Sequence, residues 1–144
     1  MEALLKLKLH AYLIENNPDL LVQLQEENKV TAYLEEKVKS VQPLLDRILS
    51  ESEPPYMVEE RCLHEMTADL KPSRYNYVRM ILEEEFGSDF SSRDENGILL
   101  YEIINIIGIC NPLFEAYQFS EDNHDSRELY YTVTGAINEY LENR

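Results

Sequence analysis

The sequence predicts an all-α fold: a single compact bundle of six to eight helices around a buried central helix. Three features predict it. Residues 98–110, ILLYEIINIIGIC, form the most apolar run in the chain, interrupted only by Glu102, Asn105 and Gly108, three residues apart. Most other segments repeat apolar residues at the three- and four-residue spacing of an amphipathic helix. Four glycines in 144 residues are few for a turn-rich β fold. A chain of this length matches the common size of one domain and can bury a core, so one helical domain over 1–144 is expected.

The elements follow in order. In residues 2–15, Leu4, Leu7, Ala11 and Ile14 share one helical face, broadened by Leu5, Leu9 and Leu13. Asn16-Asn17-Pro18 stops that helix. Asn17 can cap the next one, because proline at the first helical position gives up an N–H that had no partner there. A short helix over 18–25 is expected. Residues 27–50 carry a continuous stripe from Val30, Tyr33, Leu34 and Val38 through Val41, Leu44, Leu45, Ile48 and Leu49, with Glu35 and Lys39 spaced to pair on the other side. Pro43 must kink or break this helix, since its ring clashes with the preceding turn.

Residues 51–55, ESEPP, read as a connection rather than a domain boundary, since neither half of the chain shows a convincing core by itself. A helix over 57–70 turns Val58, Cys62 or Leu63, Met66 and Leu70 inward. Lys71-Pro72-Ser73 ends it, and Ser73 caps a helix over 74–86 with Tyr75, Val78, Ile81, Leu82 and Phe86 apolar. Gly87 stands where a helix-ending glycine belongs. Residues 88–96 read as a polar loop. After the central helix, Asn111-Pro112 is expected to start a separate short turn through Phe119. Asp125, with Glu128 three residues on, has the form of a capping box for a last helix with Leu129, Val133, Ala136, Ile137, Tyr140 and Leu141 inward.

Thirteen basic against 28 acidic residues give a net charge of −15. Such a charge repels nucleic acid and anionic membranes at long range. The acids are spread along the chain, as on solvated helix faces; a surface that imitates a nucleic-acid backbone or docks a basic partner is the sharper alternative. Cys62 and Cys110 sit among apolar neighbours with no CxxC spacing, which points to buried free thiols in a reducing cytoplasm. Residues 4–14 are too short and too lysine-punctuated to span a membrane. A soluble cytoplasmic protein with no membrane partner is the expectation.

No reaction chemistry stands out. His10, His64 and His124 are far apart, and His64-Glu65 lacks the second histidine of an HExxH zinc helix. No GxSxG elbow or glycine-rich phosphate cradle occurs. No metal, cofactor or catalytic residue is therefore assigned, and an enzyme ranks third among the readings. Residues 57–86 have the outline of a helix-turn-helix, with Lys71, Arg74 and Arg79 near the second helix, but Glu83-Glu84-Glu85 follows at once. Ten tyrosines and no tryptophan are unusual, and Tyr56, Tyr75, Tyr77, Tyr130 and Tyr131 are candidates for partial exposure. The candidate partner surface is thus Lys71, Arg74, Tyr75, Tyr77, Tyr130 and Tyr131.

Three segments carry a family resemblance: 7–20, LKLHAYLIENNPDL; 63–86, with Lys71-Pro72-Ser73-Arg74-Tyr75 and Glu85-Phe86; and 112–141, with Phe114-Glu115-Ala116-Tyr117 and the run from Glu128 to Ile137, followed by Tyr140-Leu141-Glu142. Residues 25–55 contribute little. On these segments the chain resembles a Bacteroidetes family of uncharacterised proteins, domain of unknown function 1896, often found beside conjugative-transposon genes. The resemblance implies a bacterial, intracellular, mostly helical protein in a mobile-element setting and brings no catalytic residues. The expected function is a non-catalytic interaction module with a protein partner or self-association. The alternative is a nucleic-acid-related role, as an acidic mimic or a helix-turn-helix binder.

Overall fold

The computed structural model describes residues 1–94 and 98–143, and of residues 88–94 the backbone. The described residues are all-α, with eight α-helices and no strand. The chain divides into two compact units, Met1–Lys71 and Pro72–Arg144, each with its own apolar core. The first 71 residues thus hold a core that their sequence does not advertise.

The first unit contains α1 (Glu2–Asn16), α2 (Pro18–Glu26), α3 (Val30–Ser40), α4 (Gln42–Ser50), α5 (Pro55–Thr67) and a 3-10 turn (Ala68–Leu70). Pro18 and Pro43 sit in first turns, where the missing N–H costs no helical bond. Pro43 therefore marks a tight break at Val41 rather than a kink. The expected stripe survives the break, with Val38, Val41, Leu45 and Ile48 buried against Leu5, Leu9, Val58, Cys62 and Met66. Leu49 faces solvent instead. Glu35 lies 3.8 Å from Lys6 of α1, a tertiary contact in place of the expected helical pair with Lys39.

The face of α1 is a correction. Leu5, Leu9 and Leu13 are fully buried, whereas Leu4, Leu7, Ala11 and Ile14 are exposed. The row at 5, 9 and 13 is all leucine, while the other row includes a small alanine. Lys6 and Lys8 flank the buried row and reach Glu35 of α3 and Glu59 of α5, at 3.8 and 3.2 Å. Turning the helix over would break both ion pairs.

The second unit contains α6 (Arg74–Asp94), α7 (Ile98–Ala116) and α8 (Arg127–Asn143). Ser73 caps α6 as expected, its Oγ accepting from the Asn76 N–H at 3.0 Å. Near the expected stop the backbone leaves helical geometry at Phe86 (φ −130°, ψ 18°), but helix resumes and runs to Asp94. The loop expected over 88–96 is therefore helical through 94, and its last two residues lie outside the described ones. A single glycine in open space does not oblige a helix to end.

Pro112 does not break α7, a second correction. The ring crowds the carbonyl four residues back, which belongs to Gly108 and has no side chain beside it. Beyond the proline, the fully buried Phe114 ties down the last turn, and Arg74 Nη1 donates to Asn111 Oδ1 at 2.7 Å. The helix ends in a Schellman motif: Gln118 takes φ 52°, its N–H bonds Glu115 O, and Phe119 N–H bonds Phe114 O at 2.9 Å. The rings of Phe114 and Phe119 meet at 4.8 Å, the apolar contact that accompanies this motif. Asn28 ends α2 in the same way, with Lys29 N–H on Leu24 O at 2.8 Å.

Around α7, Leu99, Ile103, Ile106, Ile107, Cys110 and Phe114 pack with Val78, Ile81 and Leu82 of α6 and Leu129, Val133 and Ile137 of α8. The cap of α8 lies one residue later than expected: Ser126, not Asp125, accepts from Leu129 N–H. Glu128 is free of a capping box and instead accepts from the Tyr117 hydroxyl at 3.2 Å. Among the described residues α7 is the one helix long and apolar enough to cross a membrane; six of its side chains are buried in the core of this unit.

Candidate interaction surfaces

The six residues expected to form a partner surface do not present one patch. Tyr75 and Tyr77 are buried, a correction to their expected exposure, because they point inward with Val78, Ile81 and Leu82 on α6. Tyr77 packs edge-on against Phe114 and Phe119, and its hydroxyl is buried without a hydrogen-bond partner. Burial pushes that phenol up to about 12. Arg74 is engaged by Asn111 and lies 5.2 Å from the centre of the Phe114 ring. Arg79 is held by Glu83 at 3.2 Å. Lys71 belongs to the first unit, with Nζ 3.5 Å from His64 Nδ1.

Tyr130 and Tyr131 are the pair that reaches the surface. Their rings meet edge-on at 5.9 Å, and Tyr131 is 67% exposed. The Tyr130 hydroxyl shares its proton between Glu84 and Glu85, each at 2.8 Å. Desolvation, then the two accepting carboxylates, push the Tyr130 phenol well above its ordinary value. This group joins α8 to α6.

The two helices of the helix-turn-helix outline fall on either side of the division between the units. Its first helix, α5, packs on α1, α3 and α4, while its second, α6, packs on α7 and α8. The two belong to different compact units. Arg74 and Arg79 of α6 are already engaged within the second unit.

Cys62 and Cys110 are both buried and free. Burial raises both thiols, Cys110 to about 11, so they stay protonated and poorly nucleophilic near neutral pH. No three His, Cys, Asp or Glu residues gather into a metal-holding group among the described residues.

Two surface features do stand out. The first is the outer side of α1. Leu4, Leu7, Ala11 and Ile14 follow a 3-4-3 spacing, the seam pattern of paired helices. Leu7 is 66% and Ile14 55% exposed, opposite the buried leucine row. The charges of α1 balance, with Glu2 and Glu15 against Lys6 and Lys8, in a chain that is otherwise strongly acidic. The second is an open groove of about 350 Å³ between α7 and α8, lined by Ile109, Ala136, Glu139, Tyr140 and Asn143. Neither was singled out from the sequence. The α1 stripe was visible but assigned to the core, and the groove requires knowing which side of α7 faces α8.

The family model for the domain of unknown function DUF1896 matches residues 3–144, including the stretch 25–55. No curated protein matches the chain. Among solved structures, the crystal structure of protein PG0816 from Porphyromonas gingivalis is similar, with a TM-score of 0.70 and 22% sequence identity, covering 99% of this chain and 91% of that one. At that identity the likeness speaks for the fold.

Proposed function

Because the chain belongs to the DUF1896 family, a family defined without an activity, we propose from its surface that it is a non-catalytic interaction module that docks a partner protein through the outer face of α1. The observation that supports this reading is a helix apolar on two opposite sides. One side fills the core of the first unit, and the other carries Leu4, Leu7, Ala11 and Ile14 into solvent. A helix apolar all round is ordinarily covered, and contiguous exposed apolar surface marks binding sites. The occupant is an amphipathic helix of another protein, whose own apolar seam would interleave with the 3-4-3 row. A second copy fits less well, because it would bring a further −15 of charge. The setting is a bacterial cytoplasm, beside mobile-element genes.

Tagged wild type and the double variant Leu7→Glu/Ile14→Glu should be compared as baits in lysate of the source bacterium, with sedimentation of each alone. The reading expects a partner that drops at least tenfold with the variant, at unchanged thermal stability. Equal recovery by both baits would refute it, and concentration-dependent dimerisation of wild type alone would replace the partner with a second copy.

A further inference from the structure

The outward side of α7 differs from the rest of this acidic surface. Its exposed residues Ile98, Tyr101, Asn105, Gly108, Ile109 and Pro112 fall on one arc of the helix, opposite the six buried side chains. Ile98 is 52%, Tyr101 60% and Ile109 48% exposed. None of the six is charged, in a chain that is 28% charged. From Ile98 to Phe114 the one charged residue is Glu102, partly buried at the edge of the arc. The exposed face of α1, by contrast, includes Glu2 and Glu15.

The row is also symmetric. Ile98, Tyr101, Asn105, Ile109 and Pro112 are spaced at intervals of 3, 4, 4 and 3, so it reads alike from either end about Asn105. A contact between identical chains across a two-fold axis requires that if one residue meets another, the reverse also holds. With two α7 helices antiparallel about Asn105, Tyr101 meets Ile109 of the second copy, Ile98 meets Pro112, and Asn105 meets itself. An asparagine amide carries both donors and an acceptor, so it can pair with its own copy.

Shape and chemistry agree with that register. Ile109 is one wall of the open groove floored by Ala136 and Tyr140 and edged by Glu139 and Asn143. Eight residues earlier, about 12 Å along the axis, stands the exposed Tyr101. A tyrosine suits such a groove: the ring covers the apolar floor and the hydroxyl donates at the polar edge. Knob and groove each occur once per chain, so one two-fold axis fills both grooves and closes the assembly.

We infer that the chain forms a homodimer through α7, packed antiparallel about Asn105, with Tyr101 of each copy seated in the Ile109–Ala136–Tyr140 groove of the other. The contact is independent of α1, which lies in the other unit. One helix face supplies less than the roughly 800 Å² per partner of a standard interface, so the dimer is reversible. Two chains of −15 repel at long range while the centre of the contact is uncharged. Salt screens that repulsion, so the dimer should tighten as salt rises, the reverse of a contact between opposite charges.

The test is sedimentation equilibrium of the full chain from micromolar to near-millimolar concentration, at 50 and 500 mM salt. Wild type is compared with Asn105→Glu, Asn105→Lys and an equimolar mixture of the two. Asn105 is exposed, so both variants should keep the wild-type melting curve. The inference expects a wild-type dimer that tightens with salt. Each variant alone should associate at least tenfold more weakly, since like charges meet at the axis, and the mixture should regain dimer because opposite charges then meet there. Wild type that stays monomeric throughout would overturn the inference and leave the face to a different protein. Dimerisation unchanged in both variants, or a mixture no better than its components, would overturn the axis at Asn105. The α1 variant Leu7→Glu/Ile14→Glu should dimerise as wild type does, so this inference and the docking reading fail separately.

Discussion

Ile106→Asp should abolish the cooperative unfolding of the second unit. Ile106 is fully buried on α7, among side chains of α6 and α8. Aspartate there would carry a charge into an apolar site with no cationic partner, or hold a proton at the expense of its ordinary acidity. Either way the cost is on the order of 5 kcal/mol, comparable to the whole stability of a small domain. Circular dichroism against temperature should show a broad, sloping loss of signal in place of a sharp transition. Ile109→Asp, one turn away and half exposed, should melt within a few degrees of wild type. The contrast matters because 98–110 is apolar nearly all round, yet Ile103, Ile106 and Ile107 are buried while Ile109 is half exposed. Similar behaviour of the two variants would mean that the buried side of α7 has been misassigned.

Leu9→Ala should carry the next largest effect. Leu9 is fully buried and touches a core drawn from α3, α4 and α5. Removing three carbons from such a site costs the transfer free energy of the lost atoms plus a cavity term, together about 2–5 kcal/mol. Leu7→Ala, two residues away on the exposed side, should change stability by less than about 0.5 kcal/mol. Urea denaturation checks both, because a shift in midpoint at constant slope reads stability directly. A midpoint for Leu9→Ala within error of wild type would contradict the packing of the first unit.

Much of the fold was legible because it rests on local rules. Pro18 and Pro43 mark helix starts, Ser73 marks a cap, and the stripe through Val38, Val41, Leu45 and Ile48 marks a buried face. What escaped the sequence was settled by tertiary contacts. The two apolar rows of α1 are equally periodic, and the one made entirely of leucine fills the core; the ion pairs Lys6–Glu35 and Lys8–Glu59 accompany that choice. Pro112 reads as a stop, yet burial of Phe114 beyond it outweighs one lost backbone bond. The end of α7 escaped because nothing in the sequence announces it. Asparagine tolerates the left-handed conformation of Asn28, but Gln118 carries no such signal and is held there by the Phe114–Phe119 contact. The candidate surfaces were hardest to see, because exposure of an apolar residue is decided by what the rest of the chain leaves uncovered. Tyr75 and Tyr77 went inside, while Leu7, Ile14 and Ile109 stayed out.

The account turns on the outward face of α1, and methyl NMR tests it most directly. Leucine and isoleucine methyls labelled in the full chain would be titrated with a soluble gadolinium chelate, which broadens what solvent can reach. The methyls of Leu7 and Ile14 should broaden early, and those of Leu5, Leu9 and Leu13 should stay sharp to the end of the titration. Protection of Leu7 and Ile14 with broadening of Leu9 would turn α1 over, and with it would go both the core of the first unit and the surface proposed to bind a partner.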